Sequence, residues 1–155
     1  MKTSKISQAA ILLWVISIAV FAWFFINGST TAGSDGRTAI VLQPTERDLV
    51  LSEMRGLLVA TQGIVEAASK GDIPQAGKAA GKAGMAAAAD VNPALMAKLP
   101  LKFKQLGMSV HRDMDEIARV AGEGEISADE ILKMTANTLN KCIACHATWQ
   151  LKAAD

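Results

Sequence analysis

Apolar and polar positions follow three different rhythms along this chain, and each rhythm predicts a different element. From Ala9 to Ile26, "AAILLWVISIAVFAWFFI", no charge interrupts the apolar run. As a helix it would rise roughly 27 Å at 1.5 Å per residue, about the thickness of a bilayer's hydrocarbon core. Lys2 and Lys5 lie on its short side, and positive charge there keeps that side in the cytoplasm and exports the rest. The pattern predicts a cytoplasmic N-terminus over residues 1–8 and a single-pass anchor over 9–26 in the cytoplasmic (inner) membrane. The chain beyond the anchor would be periplasmic or otherwise extracytoplasmic. A cleaved signal peptide is the competing reading, but its apolar region usually runs only about 7–15 residues. The only candidate cleavage site here is a weak one at Thr30–Ala32, "TTA".

Residues 27–44, "NGSTTAGSDGRTAIVLQP", are rich in Gly, Ser and Thr and hold no sustained period. They read as a flexible linker. From Thr45 onward the period is that of a helix. Val50, Met54, Leu57, Leu58, Thr61, Ile64, Val65 and Ala68 recur at three- and four-residue steps. "TERD" (Thr45–Asp48) resembles a capping box ahead of them, and "KGD" at 70–72 ends the stripe. A second helix is predicted from Ile73-Pro74 to just before Asn92-Pro93. Its Gly77, Gly81 and Gly84 suggest close packing against a neighbour.

After the connector "NPALMAKLP", Phe103, Leu106, Val110, Met114, Ile117 and Ala121 mark the buried side of a third helix over about 101–121, a stripe at helical spacing. "GEGE" breaks it. Ser127 and Glu130 form a capping box, "SADE", opening a fourth helix. Ile131, Thr135, Thr138, Cys142, Cys145 and Trp149 carry its inner face to about Leu151, again at helical spacing. No stretch shows a convincing two-residue alternation. The predicted fold is all-α, an antiparallel four-helix bundle over residues 45–151 with a short tail at 152–155.

Composition narrows the function. Half of the 155 residues are apolar, a fifth are charged, and the net charge is +1. A nucleic-acid binder would show a strongly basic face, so no nucleic-acid partner is expected. There is enough apolar surface for a core. No glycine-rich phosphate loop, H-E-x-x-H or G-x-S-x-G occurs, and nothing points to hydrolysis or phosphoryl transfer.

The candidate chemistry is concentrated in "KCIACHATWQ", residues 141–150. Cys142 and Cys145 are the only cysteines, and His146 is one of two histidines. At i, i+3 and i+4 they project from one side of a helix. The spacing C-x-x-C-H reads as covalent attachment of one c-type haem, Cys142 and Cys145 forming thioethers and His146 binding iron from the proximal side. Three other readings stand beside it. A thiol–disulfide oxidoreductase also uses C-x-x-C, though normally where it opens a helix. A zinc site would need a fourth ligand, with His111 the only other histidine. A disulfide across three residues would close a tiny loop.

Four helices with C-x-x-C-H near the end of the last, and Trp149 shortly after, make residues 45–151 resemble the class II c-type cytochromes. The membrane anchor departs from that family's usual cleaved periplasmic form. The resemblance implies an electron carrier rather than an enzyme, with redox proteins as partners and a possible homodimer; the membrane location follows from the anchor alone. No residue is given a catalytic role. In one branch of the family a methionine from the first helix completes the iron's coordination, and Met54 is the residue in that place. In the other branch the sixth position is open and binds NO or CO.

Arg47 and Arg55 flank the stripe of the first helix, and either could meet a haem propionate by charge-assisted hydrogen bonding, a solvated surface arginine being the default for each. Lys133, Lys141 and Lys152 could steer an acidic partner. Met85, Met96, Met108, Met114 and Met134 read as packing, and His111 as a satisfied or solvent-facing histidine.

Overall fold

The computed structural model describes residues 4–88 and 92–154. The first element is helix α1, Lys5–Asn27, apolar on every side and with no buried residue. It is long and apolar enough to cross a membrane. Ser4 caps it through an N–H···O bond from Ser7 at 3.2 Å.

Residues 27–44 are not a linker. They carry β1 (Thr30–Ala32) and β2 (Thr38–Leu42), an antiparallel hairpin. Its turn contains Asp35-Gly36, with Gly36 at φ +86°, a backbone region that glycine enters without steric cost. Strand β3, Trp149–Ala153, adds to β2 in parallel, pairing Thr38 with Trp149 and Leu42 with Ala153. The expectation of an all-α fold is therefore corrected by a three-stranded sheet.

The rest is mostly helical. Helix α2 spans Pro44–Ser69. Its cap lies two residues earlier than "TERD" suggested: the Glu46 carboxylate accepts from the Gln43 N–H at 2.9 Å. Gly71, at φ +70°, ends it. Helix α3 spans only Ile73–Gly81, capped by Asp72 accepting from the Gln75 N–H at 3.0 Å. A 3-10 turn comes next, at Met85–Ala88. The long second helix expected from sequence is thus shortened, and the last of its predicted length lies outside the described residues. The connector folds too, into α4, Pro93–Lys98. Helix α5 spans Leu101–Glu123 and stops at Gly124, φ +75°. Helix α6 spans Ala128–Thr148. Its capping box is the expected one: Glu130 accepts from the Ser127 N–H at 3.0 Å and Ser127 Oγ accepts from the Glu130 N–H at 3.3 Å. The helix ends three residues sooner than predicted because Trp149 turns extended and joins the sheet.

Helices α2, α3, α5 and α6 pack about one core that includes Ile64, Ala76, Ala80, Met114, Ile117 and Ile131. On α2 the predicted stripe is half right. Adjacent residues on a helix lie about 100° apart, so only one of each neighbouring pair faces inward. Ile64 is fully buried, whereas Leu58 is 70% exposed. Gly77 on α3 meets α5 so closely that a Cβ there would lie 2.8 Å from Ala121 Cβ. Gly77→Ala is expected to destabilise the protein by about 1–3 kcal/mol, the usual range for overpacking, read as a lower Tm by circular dichroism. A second cluster joins the sheet to the helices: Ile40, Leu42, Val50, Leu95, Leu99 and Phe103. The candidate site lies against it.

Candidate functional site

Cys142, Cys145 and His146 occupy the last two turns of α6. Both cysteines are free thiols and half-buried. Cys145 packs against the second cluster beside Met54, Met96, Trp149 and Leu151. Trp149 is fixed in turn by an edge-to-face contact with Phe103, centroids 5.7 Å apart. The His146 ring is exposed.

Three adjoining hollows surround these residues. One is a cleft of about 210 Å³ lined by Arg37, Arg47, Met54, Cys145, His146 and Trp149 among others. A larger apolar one of about 330 Å³ is lined by Met54, Leu57, Leu58, Met114, Cys142 and His146 among others. A small one of about 70 Å³ runs inward past Met54, Cys145, Met96 and Lys104. Met54, half-buried on α2, is common to all three. The four residues singled out from sequence thus line neighbouring hollows between α2 and α6: Met54, Cys145 and His146 share one, and Met54, Cys142 and His146 another.

Electrostatics at the thiols is unfavourable to ionisation. Burial pushes the Cys145 thiol up to about 11, with the neighbouring Cys142 adding to the effect. Cys142 is raised as well, again mainly by burial. A reactive thiol needs the opposite environment, a helix N-terminus or a nearby cation, and these thiols sit at a helix's C-terminal, negative end. Before any attachment, alkylation of Cys145 by iodoacetamide is expected to be slow at pH 7 and to rise with pH towards about 11. Fast labelling at pH 7 would contradict this.

One residue of the site was not found from sequence. Arg37, in the β1–β2 turn, donates through Nη1 to the His146 carbonyl at 3.1 Å and the Trp149 carbonyl at 3.4 Å. Its Nε donates to Asp35 Oδ2 at 2.7 Å, and Asp35 Oδ1 accepts from Gln150 Nε2 at 3.0 Å. The guanidinium thus satisfies carbonyls at the end of α6 that have no partner within the helix. It also holds Asp35 below the usual carboxylate range.

The remaining candidates divide. Arg47 lines the 210 Å³ cleft and Arg55 the 330 Å³ one. Lys141 is engaged with Asp113 at 2.6 Å, leaving Lys133 and Lys152 exposed. His111 is buried, its Nδ1 2.9 Å from the Ala83 carbonyl. A carbonyl only accepts, so Nδ1 carries the proton. Among the described residues no three His, Cys, Asp or Glu side chains form a metal-holding group.

No family model, curated protein or solved structure matches the chain.

Proposed function

We propose that the chain is a membrane-anchored monohaem c-type cytochrome of the class II bundle type, carrying single electrons at the outer face of the cytoplasmic membrane. The observation that carries this reading is that Met54 of α2 lines the same hollows as Cys145 and His146, and as Cys142 and His146, of α6. Four helices about a common core support the bundle assignment, and the short α3 and the added sheet are this chain's own departures from it.

The residues suit the cofactor in kind. Two half-buried, protonated thiols stand i and i+3 on a helix, as addition to two vinyl groups needs. An exposed imidazole one residue on would bind iron, and the Met54 thioether lines the same hollows from another helix. Because the thiols would attach to the porphyrin rather than to the metal, no three-ligand protein cluster is required. When bound, the haem supplies a one-electron ferric/ferrous couple. The chain's own residues would hold it: Arg37 fixes the backbone that carries His146, Cys145 and Met54 pack against the second cluster, and Arg47 and Arg55, which line the hollows, would be available to neutralise acidic propionates.

A second reading rests on the apolar 330 Å³ hollow, whose α2 wall of Met54, Leu57 and Leu58 would leave room for a diatomic ligand on the side away from His146. If Met54 turns aside, the protein binds NO or CO instead of chiefly passing electrons. A visible spectrum of the protein made with c-type maturation machinery decides between them. A covalent low-spin spectrum indifferent to CO is expected. A high-spin spectrum shifted by CO would give the second reading, and absence of covalent haem would overturn both.

A further inference from the structure

The N-terminal helix does not hang from the domain by a loose tether. Three residues around its last turn are joined to the α4–α5 corner. The Ser29 N–H donates to the Lys98 carbonyl at 2.7 Å, and the Ser29 carbonyl accepts from the Val41 N–H at 2.8 Å. Gly28 adopts φ +65° and lies so close that a Cβ would be 2.6 Å from the Pro100 nitrogen, so both its conformation and its surroundings require glycine. Lys104, from the first turn of α5, is only 9% exposed. Its ammonium donates to the Phe25 carbonyl of α1 at 3.3 Å and to the Met96 carbonyl of α4 at 3.1 Å. It also lies 4.1 Å from the centroid of the Phe25 ring. A buried ammonium is costly unless it is satisfied, and here its partners come from both sides of the junction. Burial depresses its basicity.

The same Lys104 lines the inner hollow with Met54 and Cys145. One side chain thus touches both the exit of the apolar helix and the wall of the candidate cofactor space. At 1.5 Å per residue, a 23-residue helix is roughly 35 Å long, so a span of about 30 Å of hydrocarbon centred on it ends near Ile26 and places Asn27 and Gly28 at headgroup level.

We propose that the α4–α5 corner, with Lys102 exposed at its surface, rests on lipid headgroups around the exit of α1 and holds the domain at a fixed height and orientation. The partner surface is the bilayer itself. The cofactor space then lies next to the membrane, and redox partners have to approach laterally along it. This rests on α1 being a membrane span and is independent of what fills the cavity.

The test uses the full chain in vesicles of phosphatidylcholine and phosphatidylglycerol, with a nitroxide at K102C or, separately, at E123C. The two positions are 21 residues apart on α5, roughly 32 Å at helical rise. Collision with a water-soluble nickel chelate is expected to be several-fold lower at K102C than at E123C. A Gly-Ser-Gly-Ser insertion between Gly28 and Ser29 should abolish the difference. K104M, which keeps the length of the side chain but cannot donate, should reduce it. Equal collision rates in the uninserted chain would overturn the proposal, as would either variant leaving the difference intact. Both labelled chains also carry C142A and C145A, so that the introduced cysteine is the only thiol and the depth result does not depend on the haem attachment.

Discussion

Protein carrying C142A and C145A together is expected to lose covalent haem completely while keeping its helices. Matured intact protein should retain colour through acid–acetone extraction and denaturing electrophoresis, and the double variant should not. The expectation comes from geometry: residues i and i+3 on α6 present two thiols on one side, and each thioether needs its own sulfur. Structural loss should be small by comparison. Neither cysteine is bonded to another residue, both are only half-buried, and a cysteine without a reactive role behaves as a small apolar side chain. Far-UV circular dichroism of the double variant should therefore match that of the intact apoprotein, with a stability loss of about 1 kcal/mol, at the centre of single-substitution effects. The single variants sharpen the case. C145A removes the thiol packed against Met54 and Trp149, and C142A the one lining the apolar hollow. Each should leave one thioether and a haem still resistant to extraction. Intact matured protein without covalent haem would refute the attachment outright, whatever the variants do.

How much of this was legible in the sequence depends on how local the cause was. The capping box at Ser127–Glu130, the stripe of α5 and the three-residue spacing at Cys142 are local, and each is where the pattern placed it. The hairpin was also locally encoded and was missed. Asp35-Gly36 between "TTA" and "TAIVL" is a recognised turn signal between two strand-like runs, masked by the Gly/Ser/Thr composition around it. Strand β3 had no such signal, because its partner β2 lies more than a hundred residues away and "WQLKA" continues a helical stripe smoothly. The same distance hid Arg37, whose role exists only once the hairpin lies against the end of α6. The break after Gly81 is likewise tertiary: Gly84 packs on Asp115 of α5, whose carboxylate accepts from the Met85 N–H at 3.0 Å. An alanine-rich segment with good helix propensity is therefore turned aside. Met54 stood out only through its position on the first predicted helix, and nothing in its local pattern separates a ligand from a packing residue.

Replacing Met54 tests that ambiguity. M54A in the matured protein is expected to convert a low-spin iron to a high-spin one that binds CO. It should also lower the reduction potential by on the order of 0.1 V, within the ~0.8 V range that axial ligands span. A thioether ligand raises the potential, so its removal has a definite sign. Alanine alone would be ambiguous, since truncating a buried methionine also leaves a cavity worth about 2–5 kcal/mol when burial is complete. Met54 is half-buried and borders three hollows already, so the packing loss should fall at or below the lower end. M54L separates the two effects. Leucine conserves volume, costs under about 1.5 kcal/mol, and has no sulfur. If Met54 is the ligand, M54L should fold nearly as stably as the parent yet show the same spin change, CO binding and fall in potential as M54A. If Met54 only packs, M54L should match the parent in every spectrum while M54A differs in Tm alone. In that case the apolar wall formed with Leu57 and Leu58 faces the iron, and the protein is a gas binder.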